Sequence, residues 1–330
     1  MFLLVLLAST LGLQAEKVGL LYMHGCGQSF DHPGNVDFKN FVEQNTGVTV
    51  HLIDAFNDLA APPTESSITP MWIQVPAILE QVKNISAQYD KIIAVGYSQG
   101  GVIWRAMIED WNNHNVDTFI AMASPQHGFA DLPQDFLVTI KDYVIDSIQG
   151  ASANNLRHNF LKAFLYSKKV QNVFSPSNFF LEPAMYNLYK NTRFFPRLNN
   201  EVGPDSEKQR QKKNFERLRK FVMVGGPDDG VINPWQSEIF GFRTVDRKIV
   251  SMNETEFYKK NLFGLRTLDE KGCTNSRTEQ NSNAGQQGLQ LSGSTNLLEV
   301  HHNGKSNSKE DQVTGVQAEQ ETQLEKSDPH

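Results

Sequence analysis

The chain has 330 residues, 39% of them hydrophobic and 10% aromatic, enough apolar material for one large domain or two ordinary ones. A formal charge of -6 supplies no broad basic face, which argues against nucleic acid as the main partner. Two cysteines, Cys26 and Cys273, allow one disulfide at most, so stability rests on the core and not on cross-links.

In chain order, residues 1–15 begin with a short apolar run, 2–13, closed by Gln14-Ala15-Glu16, where a small residue suits cleavage. The run is too short to span a bilayer as a helix. It reads as a signal peptide, although the usual basic residues at its start are missing apart from the amino terminus. The next run, 18–23, is a strand candidate. A glycine-bearing loop follows it, His24-Gly25-Cys26-Gly27-Gln28. A strand at 48–53, a helix at 70–87 and a strand at 92–95 continue the pattern. Asn84-Ile85-Ser86 in that helix is a glycosylation sequon, as is Asn253-Glu254-Thr255 later in the chain.

The strand at 92–95 runs into Gly96-Tyr97-Ser98-Gln99-Gly100, after which 98–111 has the apolar content of a buried helix. Glycine-x-serine-x-glycine between a strand and a helix is the nucleophile-elbow pattern, in which a strained turn lifts a serine hydroxyl above a sheet. A strand at 119–123 completes an alternation of strands and helices, which predicts a mainly parallel α/β sheet with the serine at a carboxyl end.

Beyond residue 129 the character changes. Residues 135–166 read as amphipathic helix, and 173–195 are rich in Phe, Tyr, Met and Pro. Together they predict a helical insertion over the sheet that forms an apolar groove, the alternative being ordinary core-covering helices. Residues 207–220 predict a helix with one solvated basic face; a docking patch for phosphate or anionic lipid is the lesser reading. A strand at 221–224 then leads into Gly225-Gly226-Pro227-Asp228-Asp229-Gly230. From Cys273 onward the chain is Gln-, Asn-, Ser- and Gly-rich with no aromatic residue, a composition that favours disorder. The predicted organisation is a signal peptide at 1–15, a catalytic domain at 16–272 and a polar tail at 273–330.

A serine becomes a nucleophile when a base takes its proton, and the base is usually a histidine oriented by a carboxylate. On an α/β-hydrolase sheet the chain order is serine, acid, histidine. Ser98 fits the first role. Asp228 and Asp229, directly after a strand, fit the second, although Asp-Asp-Gly is also a common turn. The oxyanion hole takes two backbone amides, from the residue after the nucleophile, Gln99, and from the early loop, Cys26. His24 reads as a loop-shaping residue and not as the base.

These segments resemble a known family. His24-Gly25-Cys26-Gly27-Gln28-Ser29, Gly96 to Gly101, Ser124-Pro125-Gln126-His127-Gly128 and the run from Phe221 to Ile232 are similar to the palmitoyl-protein thioesterases, and most of all to their lysosomal branch. Pro234-Trp235-Gln236-Ser237 and Phe240-Gly241-Phe242 extend the match, which covers about 16–272. The resemblance implies an α/β-hydrolase fold and a soluble, glycosylated lysosomal enzyme that needs no metal or organic cofactor. It implies hydrolysis of long-chain acyl thioesters, carried by an S-acylated protein or peptide or by acyl-coenzyme A. Carried over position by position, Ser98 is the nucleophile, Asp229 the acid, and the amides of Cys26 and Gln99 the oxyanion hole.

The departure comes after Gly272, where the family's further strand, histidine loop and closing helix are not recognisable. The histidines beyond Asp229 are His301, His302 and His330. A short apolar run, 297–300, would deliver His301 or His302 as the base. The competing readings are a chain joined to foreign sequence after Gly272, which lacks the base and at most binds acyl groups, and an oxygen-ester lipase on the same fold.

Overall fold

Six parallel strands form the centre of the computed structural model, which describes residues 16–54, 65–131 and 161–278. They are β1 (Val18–Met23), β2 (Thr49–Ile53), β3 (Lys91–Tyr97), β4 (Val116–Met122), β5 (Lys220–Gly225) and β8 (Thr274–Thr278), in the spatial order β2-β1-β3-β4-β5-β8. A two-stranded antiparallel hairpin, β6 (Phe242–Arg243) and β7 (Ile249–Val250), lies outside this sheet. Strands β3 and β4 carry apolar side chains on both faces, as a parallel sheet covered on both sides demands. The long helices are α1 (Pro33–Thr46), α2 (Met71–Ser86), α3 (Gln99–Asp110) and α4 (Asp205–Phe215), with a shorter α5 (Leu265–Glu270) before β8.

Helix α3 follows β3 after a single residue, Ser98, and is buried from Gln99 to Glu109. Such a helix cannot be amphipathic, and it includes a charged pair. Arg105 and Glu109 are both 0% exposed and joined at 2.8 Å. The Arg105 guanidinium also donates to the carbonyls of Gln126 and Leu198 and to Asn199 Oδ1, and it lies 4.0 Å from the Phe263 ring centroid. One cation thus ties the central helix to three other segments. Burial pushes the Glu109 carboxyl up to about 8, against the pull of Arg105.

The sheet departs from the sequence reading at its last strand. The polar tail is expected to begin at residue 273, yet Thr274–Thr278 pairs with β5 from Phe221↔Thr274 to Gly225↔Thr278. The segment hides from pattern analysis because an edge strand needs backbone hydrogen bonds and not apolar side chains, and Thr-Asn-Ser-Arg-Thr supplies no alternation of apolar and polar residues. The folded part therefore reaches at least Thr278. Cys26 and Cys273 are both free thiols.

The predicted signal peptide lies outside the described residues, as do most of the predicted helix at 135–166 and the tail beyond 278. Residues 161–165 are helical. Residues 173–195 form a chain of short helical turns, with Phe174, Phe179, Phe180, Leu181, Tyr189 and Phe195 buried in the main core. Lys162, almost wholly buried, bonds Asp131 and Glu182, and Asp131 also holds Arg243. This clasp joins the insertion to the turn after β4 and to the β6–β7 hairpin. Helix α4 starts at Asp205, and several of its basic side chains are paired, Arg210 with Asp110 and Lys208 with Asp205. The helix predicted over 207–220 thus ends at Phe215, and Lys220 already belongs to β5.

Candidate active site

The site is built on the carboxyl ends of β1, β3 and β5. Ser98 sits between β3 and α3 with φ 51° and ψ -124°, a left-handed conformation that costs a non-glycine residue about 1–3 kcal/mol. Its N–H donates to Met122 O at 2.9 Å, and its carbonyl accepts from Gly101 at 3.0 Å, so the strain is held from both sides. The surrounding glycines are there for contact. A methyl on Gly96 would stand 2.4 Å from Gly101 Cα, one on Gly100 2.4 Å from Met23 O, and one on Gly101 2.3 Å from Ser124 Oγ.

The glycine-bearing loop after β1 closes over this turn. Gly27 N–H donates to Ser66 Oγ at 2.7 Å, and Gly25 N–H reaches Gln28 Oε1 at 3.4 Å, pinning the chain on either side of Cys26. Gln99 is the first residue of α3, and a first-turn N–H has no acceptor within its own helix. Its buried side chain is committed elsewhere: the amide donates to Ser66 O and Gln74 Oε1 and accepts from Ser175 Oγ. Ser66, Gln74, Gln99 and Ser175 therefore form one polar network beneath the loop. The Cys26 thiol bonds Ser67 at 3.1 Å, and desolvation pushes it up.

Asp229 follows β5. Its Oδ1 accepts from the amides of Val231 and Ile232 at 2.7 and 2.8 Å, which orients a half-buried carboxylate. Burial raises it, and these two amides pull it back down. Asp228, beside it, is exposed and not held by those amides. Of the two aspartates that the sequence offers, Asp229 is the one held by backbone amides. Tyr97, next to Ser98, is pushed up to about 12, first by burial and then by the Asp229 carboxylate, which places the serine turn in the field of that group.

His24 is buried, its Nδ1 2.9 Å from Gly25 O, and burial lowers it. It shapes the loop. His301, His302 and His330 lie outside the described residues. The two sequon asparagines, Asn84 on α2 and Asn253 in the turn before residue 255, are both exposed. Glu238, Ser66, Gln74 and Ser175 escape the sequence reading. No local pattern marks them, because each meets the site only through tertiary contact.

Among the described residues no helix is long and apolar enough to cross a membrane. A strained serine at a strand-to-helix turn, a pinned loop of backbone amides and an oriented carboxylate together suit acyl transfer through a serine oxygen.

The family profile described as palmitoyl protein thioesterase matches residues 19–282. Lysosomal thioesterase PPT2-B of Xenopus laevis is 36% identical over 217 residues, covering 65% of this chain and 68% of that protein. Human lysosomal thioesterase PPT2 is 32% identical over 258 residues, 77% of this chain and 78% of the relative. A PPT2 homolog of Drosophila melanogaster is 32% identical over 206 residues, 62% of this chain and 64% of its own length. Among solved structures, a lipase-esterase related protein from Clostridium acetobutylicum superposes with a TM-score of 0.38 and 13% identity, over 80% of this chain and 85% of that one. An overlap that loose carries no argument.

Proposed function

This chain belongs to the palmitoyl protein thioesterase family, and on that premise we propose that it hydrolyses long-chain fatty-acyl thioesters through an acyl-enzyme on Ser98. The observation that carries the reading is the positive φ of Ser98 at the β3–α3 turn, directly against the loop of Gly25 and Cys26.

In the proposed reaction, Ser98 Oγ gives its proton to the base and attacks the thioester carbonyl. The oxyanion is stabilised by the amides of Cys26 and Gln99. The thiolate leaves readily, because a cysteine thiol has a pKa of about 8.5, and it takes the proton that the base received from Ser98. Water then attacks the acyl-serine, the freed base taking its proton and returning it to Ser98 Oγ as the fatty acid departs. Asp229 orients the base. That base is assigned to His301 or His302, the first histidines after Asp229 in the chain. The exposed sequons and the names of the relatives support a glycosylated enzyme of the secretory pathway, resident in the lysosome or secreted.

The test is hydrolysis of a palmitoyl thioester beside its oxygen-ester analogue, repeated with a His301→Ala/His302→Ala double variant. Preference for the thioester, with loss in the double variant, is expected. Preference for the oxygen ester contradicts the substrate assignment. Acyl-chain binding without thiol release would make the chain a silent acyl-binding protein.

A further inference from the structure

Glu238 is wholly buried beside the loop that carries Asp229. It sits in a 3-10 turn, Trp235–Ile239, that folds back over the end of β5. Its Oε2 accepts from Gly226 N–H at 3.2 Å. The fit is close: a methyl on Gly225 would stand 2.3 Å from the same oxygen. Asp229 is held in a matching way, Oδ1 by two backbone amides.

One oxygen on each acid remains. Asp229 Oδ2 and Glu238 Oε1 are both buried, and among the described residues no N–H or hydroxyl donor reaches either. The two acids share one turn: Gly226 N–H donates to Glu238, and Gly226 O accepts from Asp229 N–H at 3.1 Å, which sets them close enough for Asp229 to raise Glu238. Two carboxylates that close, without a cation, cannot both ionise. Neither has a cationic partner among the described residues. The other titratable groups on the neighbouring elements are Tyr97 at the end of β3, His127 after β4, Arg105 on α3 and Asp228 on the same loop. Tyr97 and His127 are held neutral by burial, His127 against Phe240 O. Arg105 is committed to Glu109 and lies over the Phe240 ring.

We propose that Glu238 is a positioning residue: it keeps its proton at working pH and donates it to Asp229 Oδ2, holding that carboxylate ionised and oriented toward the base. Asp229 then accepts from two amides and one carboxylic acid, and a carboxylate retains further lone pairs for an imidazole N–H. Burial pushes Glu238 up to about 10, which leaves it the proton carrier of the pair. The same hydrogen bond lowers Asp229 and offsets the burial that raises it. The arrangement suits a site that has to keep an ionised carboxylate in acid surroundings. It rests on the assignment of Asp229 as the acid of a serine hydrolase.

The test is infrared titration of the full chain beside Glu238→Gln and Glu238→Leu. Glu109 contributes a protonated carboxyl of its own, so the reading is the difference between wild type and variant. A protonated-carboxyl stretch present at neutral pH and lost in E238Q is expected. In E238L, Asp229 takes its proton about one to two pH units higher than in E238Q, whose amide still donates. The acid limb of kcat/KM moves by the same amount in E238L and stays in place in E238Q. Should E238L fail to fold, the E238Q difference still decides whether the proton is there. No difference band, or equal Asp229 titration in the two variants, overturns the proposal. A difference band in a chain that releases no thiol counts against the hydrolase reading alone.

Discussion

Gly25 lies directly against Ser98: a methyl built on Gly25 would stand 3.0 Å from the serine Cβ and 3.1 Å from Tyr97 Cδ1. The loop proposed to donate the oxyanion amide is thus set by contact with the nucleophile turn, and no larger side chain fits between them. Gly25→Ala is expected to displace the Cys26 amide. A misplacement of about 1 Å costs about 10²-fold in kcat. Steady-state kinetics with a folded variant checks this; an unchanged kcat would remove the loop from the mechanism.

Arg105 holds α3 to the turn after β4, to Asn199 and to the aromatic cluster around Phe263. Removing one partner of a buried pair leaves the other uncompensated, so Arg105→Met is expected to lose about 3–5 kcal/mol. Glu109→Gln keeps an acceptor for Nε–H and the three other guanidinium bonds, and loses less. Denaturant unfolding of the two variants reads the order directly. The reverse order would mean that the carboxylate, and not the cation, is what binds these segments.

His127 is packed between Phe242 and Phe257 and is lowered to about 3 by burial. In the unfolded chain it protonates near its ordinary 6.5, so between these values unfolding takes up a proton. Its contribution to stability is present above 6.5 and is lost as pH falls toward 3. The slope reaches about 1.4 kcal/mol per pH unit. His24 and His114 act in the same direction, whereas Glu109 and Glu238, raised in the fold, act in the opposite one. The variant comparison isolates the term. His127→Gln is expected to flatten the fall in stability between about pH 7 and about pH 4.5 relative to wild type. Parallel curves would show that His127 takes up no proton on unfolding.

Much of this fold is legible in the sequence where burial is complete. The run at 18–23 is β1 to the residue, and the elbow at Ser98 follows from glycines whose contacts leave no room for a side chain. Strand β8 is not legible, because Thr274–Thr278 joins the sheet through its backbone and leaves polar side chains outside. Glu238 is silent for a different reason. Nothing nine residues downstream of an aspartate announces that a 3-10 turn will fold back and set two carboxyls together. The network of Ser66, Gln74, Gln99 and Ser175 is equally hidden, since its bonds join residues up to 109 apart in the chain.

The most direct test of the central claim is thiol release from a palmitoyl thioester by the purified chain beside Ser98→Ala, with mass analysis of the quenched reaction. An acyl group on Ser98 in the wild type, and thiol release lost in the variant, is the predicted result. Even with the base impaired, the oxyanion hole and binding retain about 10³–10⁴-fold over water, so some release is expected. A folded chain that releases thiol equally well without the Ser98 hydroxyl, or that never carries the acyl group there, would contradict it.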